Sequence, residues 1–525
     1  MSKLANVNST SLLAAIQLGC RTMQSVFNAD DDHVPFFNST VRPQAALWFS
    51  TYSSDAHVPG RHLNALLNAE AATGIQLDAD SVRNHRRAAI RSFSGPIAFP
   101  LNRQIVGGLP VNFCPHNLRE GLHALVALTK FRQDEEACGM AERCIGAVFD
   151  LWSPDRGWDV QRLNALGIHF QECEGFLHGE ARMMGPLVKY YRATGHGPAL
   201  KLALILKDKA IGEYFLHDGE FDPERFATNH AHSITCVMSS LAQLADLRGD
   251  SSLLMRVKAF YDKGLWAMRD EIGWSPESVS QVESDHGEAN NSGDILETAL
   301  ILGRWGYPEY YHDAERILRG HLLPSQLRDI SFVKNSPNPD GADGLRDVAD
   351  RHLGAYGFPA PYGHESVGKG RGDVSFNMDI VGGTVGSLCE AYREVSRTEP
   401  TGHWVNMLFD HETSTVRVES FYTQQNLAVE IRRAGPLFVR IPPWVNPDDL
   451  SVEGTDEIPH WSNGYLCFGR PPVQQRIVIK FPVKDQDLTL TQRLHIHPIR
   501  VRMHGDAVAA MDNFGADLTF FEPYD

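Results

Sequence analysis

The stretch HAHSITCVMSSLAQLADLRGD, residues 230 to 250, decides the first part of the fold. Ile234, Val237, Met238, Leu241, Leu244 and Ala245 recur at steps of three and one, the spacing of a single helix face. Gly249 and Asp250 then stop the pattern with a residue that tolerates a left-handed turn and one that can start a new helix. The same stripe returns around Leu118, Leu122, Leu125 and Leu128, around Met184, Leu187, Val188 and Tyr191, and around Leu296, Leu300 and Ile301. Helix follows helix at intervals of roughly 30 to 35 residues, with loops rich in Gly, Pro and Asp and no strands between them. Twelve such helices fit before residue 395, and six helical hairpins closed into a ring would accommodate them.

After Glu399-Pro400 the period becomes two. Val416 and Val418 alternate with Arg417 and Glu419, and Leu427, Val429 and Ile431 alternate with Ala428 and Glu430. Leu437, Val439 and Ile441 and then Ile477, Ile479 and Phe481 extend the pattern, broken by Pro442-Pro443 and Asn446-Pro447. The expected architecture is therefore mainly α with a β domain: an (α/α)6 barrel over residues 1–395, followed by an antiparallel β-sandwich over 396–525.

With 525 residues, 42% of them hydrophobic and 22% charged, the chain is long enough for two large folded units and lacks the composition of a disordered chain. Its net charge of −16 disfavours nucleic acid and anionic membrane as partners. Eight scattered cysteines without a Cys-x-x-Cys pair read as reduced thiols, and the N-terminal stretch lacks the features of a signal peptide, so a cytoplasmic location is expected. No run of 18 apolar residues marks a membrane span. Phosphate loops, dinucleotide turns and nucleophile elbows are not evident, and no cofactor is expected.

Three C-terminal segments, VNMLFDHETSTVRVES (405–420), PLFVRIPPWVNPDDLSVEG (436–454) and GYLCFGRPPVQQRIVIKFPV (464–483), resemble the β domain of the β-L-arabinofuranosidase-like glycoside hydrolases. Segments 57–74, 178–195 and 285–306 resemble their helical barrel more loosely. The resemblance implies a barrel ahead of a sandwich and a glycosidase activity. It also implies a cysteine nucleophile held on zinc, in a Glu-Thr-Cys element and a later Cys-Cys element. Here the first reads Glu297-Thr298-Ala299 and the second falls in SFNMDIVGG (375–383), so neither the zinc nor the nucleophile carries over.

Candidate chemistry then rests on carboxylates at helix starts, because glycoside hydrolysis needs a proton donor and a second carboxylate as base or nucleophile. Glu288, in the Asp285-His286-Gly287-Glu288 run before a helix expected near Ile295, is the preferred acid/base. Glu180, in the first turn of a helix after His178, and Asp379, at the place where the family carries its nucleophile, are the candidate partners. Asp294 reads as a helix cap. His178, His230, His232, Asp285, His286 and His364 are candidate sugar-binding groups, and Trp158 is a candidate stacking platform. His230-x-His232 shows no acidic or sulfur partner nearby in sequence, so no metal is assigned. The expected partner is an oligosaccharide or glycoside, with self-association open. Two other classes remain: a lyase or epimerase acting on a uronic acid through histidines, and a noncatalytic carbohydrate-binding protein.

Overall fold

The computed structural model describes residues 2–280, 283–490 and 495–525. Among them, twelve helices have nine or more residues: α1 (Leu12–Met23), α2 (Val58–Thr73), α3 (Ala79–Ser92), α4 (Leu118–Arg132), α5 (Glu135–Leu151), α6 (Met184–Thr194), α7 (Gly197–Glu213), α8 (Ala231–Arg248), α9 (Ser251–Asp262), α10 (Ala289–Arg304), α11 (Glu309–Ile317) and α12 (Met378–Glu394). Helices α2, α4, α6, α8, α10 and α12 each pack on the next, and α12 packs back on α2. The remaining six pack outside them, α1 against α12 and α2, so the chain forms a helical barrel.

The stripes dictate this arrangement. In α8, fourteen residues from Ala231 to Ala245 are buried, whereas α3 buries only Ser81, His85, Ala88, Ala89 and Ser92. A helix buried nearly all round belongs inside, and one with a narrow apolar face belongs outside. Close approach depends on small residues: a Cβ at Gly60 of α2 would lie 1.9 Å from the backbone oxygen of Glu120 in α4.

Capping separates the two layers. Four of the outer helices have side-chain N-caps, from Ser11, Asp78, Asp134 and Asp250. None of the six inner helices has one; the residues at their starts include His57, Asn117, His230, Glu288 and Asn377. The inner helices therefore leave backbone N–H groups and their positive dipole ends uncapped at one mouth of the barrel.

Short strands do interrupt the helical part, contrary to the expectation of uninterrupted helices: Asn38–Arg42 pairs with both Ala46–Trp48 and Val374–Asn377, and Leu101–Arg103, Pro110–Phe113 and His169–Phe170 form a second small sheet. They lie in the long connections at the mouth, where non-local pairing overrides local helical spacing.

The β-rich region contains the expected strands Val416–Glu419, Leu427–Ile431, Leu437–Arg440 and Ile477–Lys480. They lie in two five-stranded sheets whose inward residues, among them Val405, Val418, Val429, Val439, Leu466 and Ile479, share one core. Pairing is not antiparallel throughout, since residues 403–405 run parallel to 437–439. The last sheet, Asp485–Leu490, Ile499–His504, Ala507–Met511 and Glu522–Pro523, contributes to a different core, where Leu490, Ile499 and Val501 cluster with Trp274, Leu327 and Phe376 of the helical part.

Candidate active site

At the uncapped mouth, buried charges converge on Glu120, in the first turn of α4. Its Oε1 accepts hydrogen bonds from Arg119 Nη1 (2.9 Å) and Arg182 Nη2 (3.0 Å), with Arg61 Nη2 at 2.9 Å and Nε at 3.1 Å. Burial works to raise the carboxyl of Glu120, but the surrounding cations, Arg119 foremost, hold it well below the usual range. Asp379 is the neighbouring carboxylate: its Oδ2 lies 3.1 Å from His57 Nε2 and 3.3 Å from Arg61 Nε. Burial again opposes ionisation, and Arg61 and His57 outweigh it, so Asp379 stays ionised. Among the described residues its second oxygen, Oδ1, has no hydrogen-bond partner.

Glu288 sits on the opposite arc of the mouth. Asn290 Nδ2 donates to its Oε1 at 3.1 Å, His230 Nε2 lies 3.5 Å from Oε2, and His232 Nδ1 lies 3.8 Å from Oε1. The far nitrogen of His232 is 3.2 Å from Asp294 Oδ2, which also accepts from Thr235 Oγ1 at 3.2 Å. Burial pushes Asp294 up to about 7, against the pull of Arg119. Arg61 and Arg182 each place Nη2 3.4 Å from His232 Nδ1, linking this arc to the Glu120 cluster.

A chain of imidazoles completes the mouth. His57 stacks on His116 at 5.5 Å, His116 meets His178 at 4.5 Å, His178 meets His230 at 5.3 Å, and His230 meets His232 at 5.6 Å. Burial, reinforced by the guanidinium groups, holds His116 and His232 well below their usual value, and burial takes His178 to about 3. These three rings are neutral. Cys114 and Cys173, free thiols with Sγ atoms 3.4 Å apart, lie beside the turns that carry His116 and His178.

The structure thus brings Glu288, Asp379, His178, His230 and His232 into one connected network. Glu288 is the residue preceding α10, which begins at Ala289 and not near Ile295; Asp294 therefore lies within the helix and faces the site, and is not a cap. Glu180 opens a 3-10 turn, Glu180–Met183, leading into α6. Its Oε1 accepts from Trp158 Nε1 at 2.6 Å, and burial raises its carboxyl. Trp158 packs edge-on to Phe99 and Phe113, so it holds Glu180 within an aromatic cluster.

Glu180 and Trp158 thus stand beside the network, and three further candidates fall outside it altogether. Asp285 is buried between Tyr362 (3.1 Å) and His495 (3.4 Å), and accepts from the Ile496 backbone N–H at 3.1 Å. It ties residues 495–496 to the helical part. His286 stands half-buried, 3.3 Å from Glu277 and stacked on Phe358. His364 is buried against Phe376 and Phe520, and burial lowers it to about 3. Sequence reading missed Arg61, Glu120, Arg119 and Arg182 as a cluster. The signal lay in charged residues one turn inside apolar helices, as in the Leu118-Arg119-Glu120 start of α4.

A thiolate zinc site does not fit these residues. Glu297 lies in the middle of α10, where Ser239 and Ser387 donate to it, and Cys389 is a buried thiol pushed well above its usual value. His230, His232 and Glu288 do bring ligand atoms together, but the two guanidinium groups beside His232 oppose a cation there.

The barrel lumen below the mouth holds a cavity of about 30 Å³, lined by Arg61, His123, His232, Asn290, Asp294 and Glu297. Two larger cavities lie elsewhere: about 250 Å³ at the opposite end of the barrel, and about 230 Å³ between α10, α11 and a β-sheet.

No family profile matches the chain, and no curated protein matches it in sequence. Solved structures do. A GH127 β-arabinofuranosidase superposes with a TM-score of 0.58 at 14% identity, covering 94% of this chain and 79% of its own. The chain has the fold of the GH127 enzymes. A GH127 β-L-arabinofuranosidase from Geobacillus stearothermophilus T6 gives 0.56 at 14% identity, over 94% of this chain and 80% of that one. A further glycoside hydrolase gives 0.54 at 13% identity, over 86% and 76%. On this fold the chain carries a mouth of carboxylates, guanidinium groups and imidazoles. Among the described residues, no helix is long and apolar enough to cross a membrane.

Proposed function

We propose that the protein is a cytoplasmic glycoside hydrolase that removes a terminal sugar from a small oligosaccharide or glycoside, its helical ring an (α/α)6 barrel and its paired five-stranded sheets a β-sandwich. The observation that carries this reading is the convergence of Glu288 and Asp379 on one buried network at the uncapped mouth, linked through His232 and Arg61.

Glu288 is the proton-transfer group. It stands beside the imidazole of His230 and is oriented by Asn290, so it can protonate the leaving glycosidic oxygen. Asp379 is the ionised partner. Arg61 and His57 fix one of its oxygens and leave Oδ1 free to meet the anomeric carbon or an attacking water. Asp294 holds His232, and Glu180, whose carboxyl burial raises and Trp158 holds, is the alternative partner carboxylate at the edge of the site. The test is product mass after incubation with a panel of neutral and uronic oligosaccharides in ¹⁸O-labelled water. Cleavage with one labelled oxygen, lost in Glu288→Gln, supports the assignment; cleavage at near-wild-type rate in that variant rejects it.

A second reading has a specific observation behind it. His116, His178 and His232 are held neutral beside Arg61 and Arg182, which suits proton abstraction next to a uronate carboxylate, as in a lyase or epimerase. An unsaturated product without label, or an isomer of unchanged mass, would select it. Binding without any product would leave the noncatalytic carbohydrate-binding reading.

A further inference from the structure

The sheet that packs against α10 and α11 has an unusual outer face. Its inward residues Val405, Leu437, Val439, Leu466 and Phe468 fill the shared core, so their alternates point away from it. The alternation predicts polar groups there. Instead, register aligns Arg397, Trp404, Phe438 and Cys467 side by side across four strands. Trp404 stacks on Phe438 with centroids 4.0 Å apart, and Tyr465 meets Trp404 edge-on at 5.2 Å.

This aromatic row is not sealed by the helices. It lines the cavity of about 230 Å³, whose other wall is the end of α10 and the start of α11. Trp404 and Phe438 remain half-buried. The polar lining is already neutralised: Arg397 Nη2 lies 2.7 Å from Glu399, and Arg304 lies 2.7 Å from Glu394 and 2.9 Å from Asp246. The exposed Asn463 stands at the rim. Each charge in this lining has an opposite partner, so the cavity offers no unpaired cation to an anion. It presents an aromatic wall edged by fixed planar hydrogen-bonding groups, the combination that receives the C–H face and hydroxyls of a sugar ring.

We propose that this cavity is an ancillary carbohydrate-binding site for a neutral oligosaccharide, separate from the mouth of the barrel. It takes one or two sugar residues against Trp404, with Arg397, Glu399 and Asn463 at the hydroxyls. The binding claim does not depend on the hydrolase reading, because it concerns residues remote from Glu288 and Asp379; only the turnover control below rests on that reading.

Isothermal titration of the full chain with xylotetraose, arabinotetraose and trigalacturonate, in the Glu288→Gln background to prevent turnover, tests it. A neutral tetrasaccharide should bind, and Trp404→Ala should weaken that binding at least about tenfold. Asn463→Gly, which keeps the left-handed turn (φ 46°) and removes the rim amide, should weaken it severalfold without disturbing the stacked pair. Trp404→Ala in the wild-type background should leave turnover of a small aryl glycoside unchanged, which separates this site from the catalytic one. Absence of binding by both neutral probes, unchanged affinity in both variants, or preference for trigalacturonate would overturn the proposal.

Discussion

Replacing Glu120 by Gln removes one negative charge from the centre of the mouth and little else. The side chain is fully buried, and its Oε1 takes contacts of 2.9 to 3.0 Å from Arg61, Arg119 and Arg182. Gln keeps the shape and one acceptor oxygen, but leaves three buried guanidinium groups short of a counter-charge. Breaking a buried pair by removing one partner costs about 3–5 kcal/mol. For a chain of 525 residues the unfolding entropy is about 1.1 kcal/mol per kelvin, so the thermal midpoint should fall by about 3–5 °C. The assay is calorimetry, or circular dichroism at the helical minimum, on wild type and variant at pH 7. The pH dependence checks the cause. Glu120 has a folded-state value depressed below its unfolded one, so its contribution is fully present above the unfolded value, about 4.3, and is lost as pH falls toward the folded value. The gap between the two proteins should therefore be constant from pH 7 to 5 and shrink below pH 4. An unchanged midpoint at pH 7, or a gap that widens in acid, would refute the claim that Glu120 neutralises the arginine cluster.

Glu288→Gln should lower turnover about 10²–10⁴-fold with the fold retained, and Asp379→Asn should do the same; near-wild-type kcat in either removes that residue from the mechanism. Asp294→Asn should gain stability relative to wild type as pH rises from about 4 to 7, because Asp294 takes up its proton more readily in the folded state and wild type loses stability across that window; a flat difference between their melting curves would contradict this. Contacts with Asp270 and Asp285 overcome burial and raise His495 to about 9, so its contribution is present below pH 6.5 and lost as pH climbs through 9. Asp285→Asn should accordingly destabilise the protein at pH 6 more than at pH 9.5, read as paired thermal midpoints. Gly60→Ala should be worse than Glu120→Gln, because its Cβ meets a backbone oxygen that cannot yield, and recovery of a normally folded barrel would show that α2 and α4 have more room than the structure gives them.

The sequence by itself determined the layers. A 3.6-residue apolar period before residue 395 and a two-residue period after Glu399 are local signals, because a buried face must repeat at the pitch of its own backbone. They place the stripe of α8 from Ile234 to Ala245 and the strand Leu427–Ile431 where the structure has them. Histidines and carboxylates at helix starts were likewise visible, since Glu288, His230 and Asp379 stand beside apolar runs they do not belong to. The tertiary structure alone decided which of them meet. Asp285 and Glu288 are three residues apart, yet one clamps His495 and the other faces His230, because the chain is still non-helical between them and α10 begins only at Ala289. Arg61 lies in α2, Glu120 in α4 and Arg182 in the turn before α6, separated by 59 and 62 positions, and only the packing of these neighbouring elements makes their charges one cluster. Periodicity is written residue by residue along one element. A site is a coincidence of several elements in space, and its charges acquire meaning only from the burial and the partners that packing supplies.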